Sequence, residues 1–129
     1  GRLYQLPSGI PVLRIPDNDI LAVGTSDPLA DVATQERFSG QLSTEIACDE
    51  ANWQMIHGEL AVFPDPVLSL PPIDRLEGFS TGYPSPYRRV LVPISTEDGV
   101  QSVWCYIGSG LQLHPAIPLK SSVWHPHAE

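Results

Sequence analysis

The segment FPDPVLSLPPIDRLEGF, residues 63–79, holds the side chain whose type and position most demand a chemical reason, Glu77. Leu70, Ile73 and Glu77 fall at i, i+3 and i+7, so on a helix the carboxylate lies on the apolar stripe that faces the interior, with Asp74 bordering it. A carboxylate directed at a core is costly unless it is paired, hydrogen-bonded or protonated. Carboxyl groups perturbed in this way occur both at functional sites, where they exchange protons, and in structural roles. Spacing alone leaves the two readings level: a functional Glu77, or one that satisfies backbone N–H groups or pairs with Arg75, Arg88 or Arg89.

Other reactive side chains are less pointed. His125 and His127 flank Pro126 near the chain end without carboxylate or thiol neighbours, so they read as surface residues and not as a metal site. Cys48 and Cys105 are far apart in sequence and sit among apolar neighbours, which favours buried free thiols over a disulfide. Trp53, Trp104 and Trp124 read as packing residues, and Asp74 as a group that caps or solvates its helix.

Pro71 and Pro72 suit a first helical turn and Gly78 a left-handed helix end, so the helix that carries Glu77 should be short. Ahead of it, residues 54–63 (QMIHGELAVF) read as a largely buried strand, with Gly58 marking a bulge or a close backbone approach. Residues 1–6 and the run IPVLRI flank the turn signal Pro7-Ser8-Gly9 and predict a hairpin. Residues 25–40 could begin a helical turn at Asp27-Pro28, but their polar composition favours a surface insertion.

Residues 87–94 (YRRVLVPI) and 100–107 (VQSVWCYI) are the clearest strands, and Asp98-Gly99 between them predicts a second hairpin. Val103, Cys105 and Ile107 share one face of the later strand while Trp104 and Tyr106 share the other. A strand apolar on both sides belongs in a small barrel or a covered sheet. From Gly108 onward the chain is expected to run extended over the surface.

The chain has 129 residues, enough for one domain that buries roughly two thirds of its unfolded surface. Fourteen prolines cut it into short segments and favour strands joined by turns. Fifteen acidic against seven basic side chains give a net charge of −8, which repels a phosphate backbone and argues against nucleic-acid binding. No apolar run approaches the roughly 20 residues needed to cross a bilayer as a helix. With free thiols, these features lead to the expectation of a soluble cytoplasmic protein that engages no membrane.

Four pieces in order resemble the gamma-glutamylcyclotransferase-like (AIG2-like) family: GRLYQLPSGIPVL from Gly1, HGELAVFPDP from His57, LPPIDRLEGF from Leu70, and YRRVLVPI followed by VWCYIG. They are similar to the family's G-x-LY strand, G-E-L strand, LD-x-LEG helix end, Y-x-R strand and W-x-Y strand. The resemblance implies an α+β, mainly β fold: a small mixed, largely antiparallel barrel with short flanking helices, spanning residues 1–129 as a single domain. It also implies an activity, the cyclisation of a small gamma-glutamyl amine or peptide to 5-oxoproline with release of the amine, without metal or cofactor. An ammonium must lose a proton before it attacks, an oxyanion must be stabilised and the leaving nitrogen must gain a proton. The resemblance assigns the acid/base role to Glu77 and makes Tyr87 and Tyr4 candidate substrate-binding residues, with ordinary packing as their alternative.

One family motif, a Y-G-[ST]-[LN] loop after the first strand that holds the substrate carboxylate, is missing from residues 1–129 and is expected upstream of Gly1. The stretch between Glu77 and Tyr87 is also long for the family. A second reading therefore stands beside the enzyme: a non-catalytic member of the fold that binds a metabolite or a protein.

Overall fold

The computed structural model describes residues 1–6, 11–39, 55–77, 79, 87–108 and 117–119. It is a mixed α+β fold, mainly strand: β1 (Arg2–Gln5), β2 (Pro11–Arg14), β3 (Ala22–Val23), α1 (Pro28–Ser39), α2 (Pro66–Glu77), β4 (Tyr87–Thr96), β5 (Gly99–Gly108) and β6 (Ile117–Pro118). The strands form two three-stranded antiparallel sheets, ordered β2-β1-β6 and β3-β4-β5. Among the described residues these sheets do not close, so the barrel expected from the resemblance is replaced by two separate sheets.

The hairpin of β4 and β5 is the frame of the molecule. Ten residue pairs run from Tyr87↔Gly108 to Thr96↔Gly99, leaving only Glu97 and Asp98 in the turn. Gly99 has φ 112°, a conformation that other side chains rarely adopt. Thr96 Oγ1 donates to the Gly99 carbonyl at 2.9 Å and accepts from the Asp98 N–H at 3.2 Å, so the turn is tied by side chain as well as by backbone.

Both faces of this hairpin are covered, as the double apolar patterning of β5 demands. On one face Val90, Val92 and Ile107 are buried and pack with Leu13, Ile15, Ile20, Val103 and Cys105. On the other, Leu91 and Arg89 are fully buried beneath the helices. α1 is fastened there by the Gln35 amide donating to the Ser102 carbonyl at 2.9 Å and by the Ser102 hydroxyl donating to the Gln35 carbonyl at 3.1 Å.

Three local expectations are corrected. Residues 28–39 are a helix and not a surface insertion: Asp27 Oδ1 accepts from the N–H groups of Leu29 and Ala30, and Pro28 takes the first helical position, where its missing N–H is harmless. Helix α2 likewise begins at Pro66 behind Asp65, so Pro71 and Pro72 lie inside it and not in its first turn. Neither proline can donate an i→i−4 bond, and the helix is held at this level by tertiary contact through buried Leu70.

Residues 55–63 are the third correction. They carry no regular structure, and Met55, Leu60, Val62 and Phe63 are exposed. Among the described residues a Cβ at Gly58 would meet nothing within 4 Å, so none of them makes a close backbone approach to that glycine. An apolar run becomes a strand only when a neighbouring strand takes its N–H and C=O groups, and among the described residues none pairs with it. The turn at residues 7–9, Cys48, Trp53, Trp124, His125, His127 and most of the chain beyond Gly108 lie outside the described residues.

Candidate active site

Helix α2 ends next to the hairpin with its apolar stripe inward: Leu70 is buried, Ile73 and Glu77 are half-buried, and Leu68 and Leu76 point outward. The Phe79 N–H donates to the Asp74 carbonyl at 2.9 Å, the six-to-one bond that closes a helix end. That closure sets Glu77 on the last turn, at the rim of the strands.

There Glu77 lines a cavity of about 470 Å³ together with Leu3, Pro11, Leu13, Tyr87 and Tyr106. The six residues come from β1, β2, α2, β4 and β5. Leu3 and Leu13 are cross-strand partners on β1 and β2, and Pro11 opposes Gln5 on the same face. Tyr87 opens β4, and its hydroxyl donates to the Pro11 carbonyl at 3.1 Å, joining the two sheets. Tyr106 lies opposite Arg89 in the β4–β5 register.

Of the three residues singled out in the sequence, Glu77 and Tyr87 therefore meet in one cavity. Tyr4 is not among its lining residues. Strand alternation explains the difference: Leu3 takes the cavity side of β1, and Tyr4 pairs with Val12 on the opposite side.

Glu77 makes no ion pair among the described residues, and Arg89, one of the arginines considered as its partner, is engaged elsewhere. Arg89 Nε and Nη2 donate to Asp74 at 2.8 and 3.1 Å, and Nη2 also reaches Asp31 at 2.9 Å and the Thr25 carbonyl at 3.0 Å. Its guanidinium stacks on the rings of Trp104 and Phe79, 4.9 and 5.4 Å from their centroids. Asp74 thus neither caps nor merely solvates its helix; it is an internal ion-pair partner that also accepts the Tyr106 hydroxyl at 2.5 Å. Asp31, only 2% exposed, is further held by the Thr25 N–H and hydroxyl.

These contacts set the protonation of the site. Burial raises the Tyr87 phenol above its ordinary range, and the negative Glu77 raises it further. Tyr106 is raised strongly, first by burial and then by its bond to Asp74. For Arg89, burial pulls downward, but its bonds to Asp74 and Asp31 outweigh it and the guanidinium is held firmly charged. Cys105, on the far face of β5, is a free thiol pushed up to about 11 by burial.

Sequence reading missed Tyr106 as a cavity residue and missed Asp31 altogether. The signal for the latter was Arg89 itself: an arginine between apolar residues of a strand covered on both faces needs buried counter-charges. Among the described residues, no three His, Cys, Asp or Glu side chains are grouped to hold a metal ion, and no helix is long and apolar enough to cross a membrane.

The sequence model of one protein family, described as gamma-glutamyl cyclotransferase, AIG2-like, matches residues 28–126. Comparison with curated proteins and with solved structures gave no significant match.

Proposed function

The chain belongs to the AIG2-like gamma-glutamyl cyclotransferase family, and from that premise we propose that residues 1–129 act as a single domain that cyclises a gamma-glutamyl amine or peptide to 5-oxoproline, with Glu77 as the acid/base. The observation that carries this reading is the cavity at the end of α2, where a carboxylate with no ion pair among the described residues stands among Leu3, Pro11 and Leu13 and beside Tyr87. Its volume of about 470 Å³ suits a small molecule.

In the proposed reaction the substrate's α-ammonium gives a proton to Glu77, and the freed amine attacks the γ-carbonyl carbon. A C–N bond forms to close a five-membered ring and the bond to the leaving amine breaks as Glu77 returns the proton to that nitrogen; the ring nitrogen then gives up its remaining extra proton, through Glu77, to the released amine, which departs as an ammonium. Nothing is oxidised or reduced. A carboxylate placed within reach of both nitrogens can take a proton from one and give it to the other. Tyr87, kept protonated by burial, orients the substrate at the mouth between the sheets.

The test is to offer the protein a panel of gamma-glutamyl amines and peptides and to assay 5-oxoproline, with Glu77→Gln alongside. Turnover that is lost in Glu77→Gln is expected. Turnover that survives the substitution overturns the role given to Glu77, and no turnover on any substrate leaves the non-catalytic binding protein as the better account.

A further inference from the structure

Two phenols line the cavity beside Glu77, and the direction of each O–H is fixed by a partner that has no proton to give. Tyr87 Oη lies 3.1 Å from the Pro11 carbonyl oxygen and Tyr106 Oη 2.5 Å from Asp74 Oδ1. A carbonyl and a carboxylate can only accept, so each hydroxyl is the donor and keeps only lone pairs for anything else. Asp74 is held as an acceptor by the two bonds from Arg89, which is itself fully buried and tied to Asp31. Both phenols are raised above their ordinary value by burial and are protonated at neutral pH. The remaining lining residues are Leu3, Pro11, Leu13 and Glu77, so no cationic side chain and no side chain with an uncommitted donor is among the described lining residues.

We propose that Tyr106 is a substrate-contacting residue: its hydroxyl oxygen, with that of Tyr87 and the Glu77 carboxylate, forms a subsite that takes hydrogen bonds from a primary ammonium group, and Asp74 held by Arg89 imposes that polarity. The proposal rests on the function above in identifying the ammonium as the α-ammonium of a gamma-glutamyl compound. A tyrosine free to turn its proton serves an amine or a carboxylate equally well. One whose proton is committed accepts only, and rejects a ligand group that brings lone pairs of its own. Before ring closure the same three oxygens hold the ammonium in place, and Glu77 is the one of them that can carry a proton away.

The subsite is tested with a ligand pair that cannot cyclise: L-methionine sulfone, which carries the α-ammonium, and 4-(methylsulfonyl)butanoate, which lacks only that group. Titration calorimetry on the native protein is expected to favour the ammonium ligand by at least about tenfold, the size of one hydrogen bond to a charged group. In Tyr106→Phe, which keeps the ring, that preference falls by about tenfold while affinity for the butanoate is unchanged. Should Tyr106→Phe not fold, Asp74→Asn gives the second reading, because its amide can donate to Tyr106 and release the phenol proton to the cavity.

Equal affinity for the two ligands in the native protein overturns the subsite, as does a preference that survives loss of the Tyr106 hydroxyl. Formation of 5-oxoproline from gamma-glutamylmethylamide is scored separately. An ammonium preference without turnover keeps the subsite and removes the cyclisation; turnover without the preference does the reverse.

Discussion

Arg89 and Asp74 form a two-pronged ion pair, Nε and Nη2 to the two carboxylate oxygens at 2.8 and 3.1 Å, and the arginine has no exposure to solvent. Asp74 stands one turn before Glu77 on α2 and also receives Tyr106 from β5. One buried cation therefore fixes both the helix turn that presents the carboxylate and the phenol that faces it.

Removal of that cation leaves two carboxylates inside without a counter-charge. Arg89→Met is expected to lower stability by about 3–5 kcal/mol, the range for breaking a buried pair from one side. Arg89→Lys is expected to recover only part of this, since a single ammonium cannot reproduce a planar fork that bonds Asp74 twice and Asp31 once. Urea denaturation checks both, the midpoint moving while the slope stays constant.

Gly24 tests how firmly the arginine is held. Its N–H donates to the Arg89 carbonyl at 2.7 Å, and a Cβ there would lie 2.8 Å from Arg89 Cζ, 2.9 Å from Nη1 and 3.0 Å from the Arg89 carbonyl oxygen. A flexible side chain could swing away, but this one is tied to two carboxylates. Gly24→Ala is expected to cost about 1–3 kcal/mol, as overpacking of a filled interior does. A neutral result in the same denaturation assay would mean that the guanidinium can shift without losing its partners.

The parts of the site that were legible in the sequence are those set by local rules. The i, i+7 offset from Leu70 to Glu77 placed the carboxylate inward whatever the helix packs against, and the Thr-Glu-Asp-Gly turn fixed the hairpin that carries Tyr87. The parts that were not legible depend on distant partners. Asp31 meets Arg89 across 58 positions, and nothing near it in sequence marks it as buried. Residues 55–63 show the converse: their composition suits a strand, but composition does not supply the neighbouring edge that a strand needs.

Cys105 gives a pH dependence of definite sign. Burial raises its thiol from 9.0 to about 11, so the folded protein holds the proton more tightly than the unfolded chain. The associated stability is present in full below pH 9 and is lost as the pH rises through about 11. Alkaline unfolding of the native protein should therefore begin earlier than that of Cys105→Ala corrected for its lower starting stability. In a Cys48→Ser background, alkylation of Cys105 should be slow at pH 8 and quicken toward pH 11, because only the thiolate reacts. Rapid alkylation at pH 8 with the fold intact would show the thiol to be unshifted.

Glu77 separates function from stability. It is only half-buried and has no ion pair among the described residues, so replacing it removes no salt bridge that those residues make. Glu77→Gln keeps the shape and removes the charge that faces Tyr87 and Tyr106. Its unfolding free energy is expected within about 0.5 kcal/mol of the native value, as for a substitution that breaks no buried network. Formation of 5-oxoproline is expected to fall by roughly 10²–10⁴-fold, the contribution of a positioned acid/base. A carboxylate that held the fold together would show the opposite pattern, a marked loss of stability in Glu77→Gln with activity falling only in proportion to the fraction unfolded.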